Sequence, residues 1–232
     1  MLPLRILLPI LTASAVLSAV APAAEARTLS AGDRGADVRA LNERLSGLGY
    51  LPAGAASSAY GRATSYAVMA FQKWHGLARD GIAGPQTKAR LRSATRPAAR
   101  TSGAGRRIEV LYERQVALLI RGGRVRRTIS VSTGADGYRT PPGSFKVFRK
   151  ERRSWSVPYK VWLPWASYFT GGVAFHAWRD VPAHPASHGC VRVPEPFARE
   201  VYRFASMNTR VHVIYPDTEI GGDENPIGPY GP

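Results

Sequence analysis

Residues 186–193 read ASHGCVRV and hold the only cysteine of the chain, Cys190, directly after His188 and Gly189. Three of the five histidines, His176, His184 and His188, crowd upstream of that thiol. Three chemistries fit the cluster: a thiol nucleophile with an imidazole base, a zinc site, or a buried cysteine serving as a small apolar side chain. A nucleophilic thiol must be ionised, and a free cysteine is only a few per cent thiolate at about pH 7, so a base is required. Attack on a carbonyl also builds an oxyanion, best met by backbone N–H groups fixed in advance. Gly189 permits a tight turn able to aim consecutive N–H groups at one point. Spacing does not choose among the histidines. His188 shares a strand face with Cys190 if the chain is extended, His176 follows the strand-like run GGVAF, and His184 stands between Pro182 and Pro185 in a loop.

The ends of the chain bear on that choice. MLPLRILLPILTASAVLSAVAPAAEA has an early Arg5, an apolar run and a closing Ala24-Glu25-Ala26, the pattern of a cleaved secretory signal over residues 1–26. The run from Ile6 to Val20 is shorter than the roughly 20 residues of a spanning helix and is interrupted by Pro9. Export to a periplasm or cell wall, with no membrane span after cleavage, is the expectation. In such an oxidising compartment an unpaired cysteine calls for a chemical reason.

Lys and Arg number 32 against 16 Asp and Glu, a formal charge of +16. Nucleic acid is the usual partner of so basic a chain, and export argues against it. Outside the cytoplasm the polyanions are wall peptides bearing carboxylates and anionic wall polymers, which this charge would concentrate around the protein.

Patterning divides the chain. Val38, Leu41, Leu45 and Leu48 make one helical face, and Ala63, Ala67, Val68 and Phe71 make a second, closing toward Gly76. Gly84-Pro85 opens a third short helix ending near Leu91. Residues 27–92 are therefore a small three-helix bundle, 93–105 (SATRPAARTSGAG) a linker, and 216–232 an acidic, Gly- and Pro-rich disordered tail. Between them, residues 106–215 carry short β-prone runs: 108–112, 116–120, 128–132, a strand begun by Phe145 and Val147, and 211–215. One helix spans Pro196 to Met207. The fold class expected is α plus all-β in two domains, the second sandwich-like with one or two helices. The aromatic run Trp162, Trp165, Tyr168 and Phe169 reads as core, with some of it lining the cleft before His176.

Two resemblances follow. "GDRGADVRALNERLSGLGYL" and "YGRATSYAVMAFQKWHGLARDGIAGPQTKARL" resemble the bacterial peptidoglycan-binding domain, with Asn42 where Gln is usual and Ser57-Ser58 where Asp-Gly is common. "VSTG…TPPGSFKV", "GGVAFHAW" and "ASHGCVRV" together resemble the catalytic domain of the L,D-transpeptidases, cysteine enzymes that remodel peptidoglycan without a metal or other cofactor. The resemblance implies Cys190 as nucleophile, His176 as general base, and the Ala177 carbonyl orienting that base. It places His188 and Gly189 in the oxyanion turn. Arg192, Ser187 and Tyr168 are candidate substrate contacts; Arg192 fits a substrate carboxylate or braces the turn, and Thr140-Pro141-Pro142-Gly143 is a turn without a catalytic role.

The reaction implied is acyl transfer from a peptidoglycan tetrapeptide stem to a second stem, joining two third-position residues. Water in place of the amine gives a carboxypeptidase, and a protein lysine gives attachment to the wall. The helical domain would serve as a tether raising effective substrate concentration. Zinc held by His176, His184, His188 and Cys190, and a non-catalytic wall-binding protein, are the alternatives from other classes.

Overall fold

The computed structural model describes residues 27–55 and 57–217. The expected signal segment and the tail from residue 218 lie outside the described residues. Three helices come first: α1 (Ala36–Leu48), α2 (Arg62–His75) and α3 (Pro85–Ser93). The first two end on glycines in the left-handed region, Gly49 (φ 89°) and Gly76 (φ 66°), whose N–H groups return to carbonyls of the last turn. Helix α3 starts on its proline and ends on extended Ala94, with no glycine cap. Its last carbonyls are met by Arg44 of α1, which donates to Leu91 O (2.9 Å) and Ala94 O (2.7 Å).

The polar landmarks of this unit are turn-holders. Gln72 donates to Asp80 Oδ1 (2.7 Å) and Ile82 O (2.9 Å), and its carbonyl accepts the Gly81 N–H (2.8 Å). Asn42 does the same from the preceding helix, donating to Ser57 O (2.8 Å) and accepting from the Thr64 hydroxyl (2.9 Å). The shorter amide at position 42 thus still fastens its loop.

The second unit has nine strands and one helix: β1 (Arg107–Leu111), β2 (Val116–Arg121), β3 (Arg124–Ser130), β4 (Gly143–Lys146), β5 (Arg149–Ser156), β6 (Val161–Thr170), β7 (Val173–Trp178), β8 (Val191–Pro194), α4 (Glu195–Phe204) and β9 (Arg210–Ile214). They form a five-stranded sheet, β3-β2-β1-β9-β4, and a four-stranded sheet, β5-β6-β7-β8. Two pairings are parallel, β1 with β9 and β7 with β8. The helical unit followed by a β-rich unit is the expected fold class. The β5–β6 hairpin gives little sign of itself in the sequence, because β5 (RKERRSWS) buries only Ser154 and so lacks the alternation that marks a strand. Trp162, read above as core, is exposed and packs edge-on against Trp155 at 5.0 Å, whereas Phe169 is buried.

The two units share one apolar core, running from Leu29 through Phe71 to Val213. The stretch between them is pinned rather than free. Buried Glu109 accepts N–H bonds from Arg100 (2.7 Å) and Thr101 (2.9 Å) and pairs with Arg107 (3.1 Å). Asp217, placed above in the tail, is buried and accepts the Arg114 N–H (3.1 Å).

In the helical core, the Tyr50 ring sits edge-on to Phe71 at 5.4 Å. Its buried hydroxyl has no hydrogen-bond partner among the described residues. An unmet buried hydroxyl costs about 1–3 kcal/mol. Tyr50→Phe should therefore raise stability by roughly 1 kcal/mol, read as a higher urea midpoint at unchanged slope; a lower midpoint would mean that the hydroxyl is bonded after all.

Candidate active site

Six of the residues singled out in the sequence, His176, Tyr168, Ser187, His188, Cys190 and Arg192, line one cleft of about 700 Å³. The parallel register of β7 and β8 accounts for this. His176 lies opposite Arg192, so His176 and the residues two positions away on either strand face the same side. Cys190 stands just before β8, two residues from Arg192, and therefore shares that side.

His176 is buried, and its Nδ1 lies 2.9 Å from the Ala177 carbonyl. A carbonyl can only accept, so Nδ1 carries the proton and Nε2 keeps its lone pair. Burial pushes the imidazole down to about 4, with the Ala177 carbonyl opposing and the Arg192 charge adding to the fall. The partly buried Cys190 thiol is pushed up by burial, against the lowering effects of the Ala174 N–H and Arg192. Sγ lies 3.7 Å from the Gly172 carbonyl. Between pH 5 and 7 both partners are thus neutral.

The turn before Cys190 is held from several sides. Gly189 adopts φ 112°, a region that disfavours any side chain. Its N–H, expected to point toward an oxyanion, turns back to Ser187 Oγ (3.1 Å). Buried Ser187 also donates to the Cys190 carbonyl. Thr140, assigned only to a turn on sequence grounds, clasps the whole loop: its hydroxyl donates to Gly189 O (2.8 Å) and accepts the Gly134 N–H (2.9 Å). That closeness requires glycine at 134, where a Cβ would come within 1.9 Å of Tyr138 O.

Tyr168 was expected at the cleft, whereas Tyr138, Trp155 and Tyr159 went unrecognised in the sequence. His188 is exposed, stacked on Tyr159 (4.6 Å, 25°) and edge-on to Tyr138 (4.6 Å, 75°). Tyr159 sits at the tip of the β5–β6 hairpin, which overhangs the cleft with exposed Trp155 and Val157. Buried Tyr168 bonds Ser154 Oγ through its hydroxyl (2.8 Å), and the Arg149 guanidinium lies 3.8 Å above its ring. Arg149 joins Arg192, itself 4.7 Å over the Trp178 ring, as a second cation of the cleft. The sequence spacing of either pair, Arg149 with Tyr168 across the hairpin or Arg192 with Trp178 between parallel strands, gives no sign of this. His184 lies outside the cleft; its carbonyl accepts the Ser132 hydroxyl (2.8 Å). Among the described residues no three His, Cys, Asp or Glu side chains gather as a metal would need.

Thr140→Val would strand the buried Gly134 N–H and Gly189 carbonyl, a loss of about 1–3 kcal/mol for each unmet group. Urea unfolding should show the destabilisation, with Thr140→Ser close to the parent; equal stability of Val and parent would remove the clasp.

Comparison with known proteins bears on the whole arrangement. Residues 105–213 match the family model of the L,D-transpeptidase catalytic domain, and residues 34–91 match that of a peptidoglycan-binding domain. The search of the curated proteins gave no match. Among solved structures, an L,D-transpeptidase from Xylanimonas cellulosilytica is 37% identical, with a TM-score of 0.74 over 82% of this chain and 98% of that one. An L,D-transpeptidase from Stackebrandtia nassauensis is 26% identical, with a TM-score of 0.50 over 80% of this chain and 94% of that one. With two thirds or more of both chains aligned at that identity, and with both family models matched in order, the chain belongs to the L,D-transpeptidase family, a peptidoglycan-binding unit preceding its catalytic domain.

Proposed function

We propose that this L,D-transpeptidase works through a Cys190 acyl-enzyme and joins third-position residues of neighbouring peptidoglycan stems. The observation that carries this reading is the placement of His176 and Cys190 on one side of the paired strands β7 and β8, with Nδ1 of His176 tied to Ala177 O. The tie leaves Nε2 as the only nitrogen able to take a proton.

The resting thiol is neutral, so deprotonation accompanies attack rather than preceding it. Cys190 Sγ adds to the carbonyl of the L-centre of the third stem residue as the thiol proton passes to His176 Nε2. The tetrahedral oxyanion is met by backbone N–H of the turn. Since the Gly189 N–H is taken by Ser187, the donor falls to Cys190 itself. Collapse breaks the amide C–N bond, and His176 returns its proton to the departing D-Ala amine. A second stem's side-chain amine then attacks the thioester, losing a proton to His176, and the thiol is released. Burial keeps the imidazole neutral and free to accept a proton near pH 7, and its cost on the imidazolium is offset by the oxyanion formed in the same step.

Substrate stems are rich in carboxylates, and Arg192 and Arg149 are the cations that the cleft offers them. Ser187 holds the turn rather than the substrate, since both of its hydroxyl contacts are internal. The N-terminal pattern of residues 1–26 and the wall substrate support export, with the +16 charge favouring retention at anionic wall polymers.

Mass spectrometry of a disaccharide-tetrapeptide incubated with the protein should show dimers with loss of D-Ala, absent with Cys190→Ala. Loss of D-Ala without dimers would assign a carboxypeptidase, and dimers from Cys190→Ala would refute the acyl-enzyme. Alkylation of Cys190 by iodoacetamide should accelerate with pH, with a midpoint above the ~8.5 of a free cysteine. A fast plateau already at neutral pH would mean a preformed thiolate–imidazolium pair and would reject the neutral resting state. His176 contributes no acid limb to kcat/KM until pH falls to about 4.

A further inference from the structure

Lys73 of α2 is fully buried where the helical unit meets the catalytic unit. Nζ donates to Val131 O (2.9 Å) and Gln115 O (3.2 Å) and lies 2.8 Å from Ser130 Oγ. It makes no ion pair among the described residues, and the Arg79 charge acts against its own. A buried amine without a carboxylate is a costly way to fill space that Met would fill without penalty.

The groups Lys73 holds lead to the nucleophile. Gln115 sits in the left-handed region (φ 57°) without being glycine, a conformation that persists only where neighbours fix it. Its side chain grips Thr133 twice: Oε1 accepts the Thr133 N–H (2.9 Å), and Nε2 donates to Thr133 Oγ1 (2.7 Å). The Thr133 carbonyl then accepts the N–H of Ala186 (2.9 Å) and Ser187 (3.0 Å). Ser187 Oγ closes the path on Gly189 N–H and the Cys190 carbonyl. Gln115, Thr133 and Ser187 are all buried, so water does not substitute for these bonds.

We propose that Lys73 is a positioning residue for Cys190, acting through Gln115, Thr133 and Ser187, so that the helical unit sets the geometry of the nucleophile turn besides serving as a wall anchor. The inference rests on Cys190 being the nucleophile. A nucleophile displaced by an ångström loses rate while substrate binding, made elsewhere in the cleft, survives.

The experiment uses the mature protein carrying Lys73→Met, Thr133→Val, Thr133→Ser or Lys73→Met with Thr133→Val, each assayed on a disaccharide-tetrapeptide and by thermal unfolding. The expected result is a fall in kcat of about ten- to a hundred-fold for Lys73→Met, with KM little changed and the protein folded. Thr133→Val should behave likewise, Thr133→Ser should retain the parent kcat, and the double variant should fall no further than the lower single. A folded Lys73→Met with parent kcat, or losses that multiply in the double variant, would overturn the proposal. If Lys73→Met does not fold, Thr133→Val decides alone: parent kcat there defeats it, and loss rescued by Ser upholds it. Activity in Cys190→Ala would instead refute the acyl-enzyme reading, which separates the two failures.

Discussion

The parallel pairing of β7 with β8 is the constraint on which this molecule depends. Parallel neighbours cannot be joined by a tight turn, and the chain must cross from one end of the sheet to the other. Here the crossover, residues 179–190, contains no helix, and it ends in the turn that carries Cys190. A segment of that length without its own ladder has to be fastened from outside, or the thiol wanders.

Most of the surrounding structure supplies those fastenings. The stretch after β3 lies against both β8 and the crossover, with Ser132 paired to Arg192 of β8 and Gly134 to Ser187 of the crossover. Thr140 adds its clasp at Gly189. The helical unit holds the other end: Tyr66 OH accepts the Val181 N–H (3.0 Å), Arg62 bonds the Arg179 carbonyl, and Arg79 reaches Ala183 O (3.5 Å). Fold and chemistry meet in this loop, because the bonds that satisfy its backbone also fix where the sulfur stands.

The same packing sets the electrostatics. Burial lowers the His176 imidazole and raises the Cys190 thiol, so both groups are neutral near pH 7. Cations remain at the rim, Arg192 over Trp178 and Arg149 over Tyr168, where the aromatic faces hold them without neutralising them. The site therefore combines a neutral thiol and imidazole with a positively charged entrance.

The sequence by itself determined much of this. Helical faces such as Val38/Leu41/Leu45/Leu48 announce themselves because a 3.6-residue period is local, as are the glycine caps at 49 and 76. Cys190 and the glycine before it were legible because a lone thiol in a tight turn is conspicuous in composition alone. Which histidine faces it was not, since that depends on the register of two strands separated by a long crossover, and residues alone left three candidates until the family resemblance selected one. The β5–β6 hairpin escaped because its charged strand packs on one residue, so no alternation betrays it. Lys73, Gln115, Thr133 and Thr140 looked like ordinary polar residues. Their importance arises only when segments far apart in sequence meet in a buried place, where each hydrogen bond must be made because water is not there to replace it.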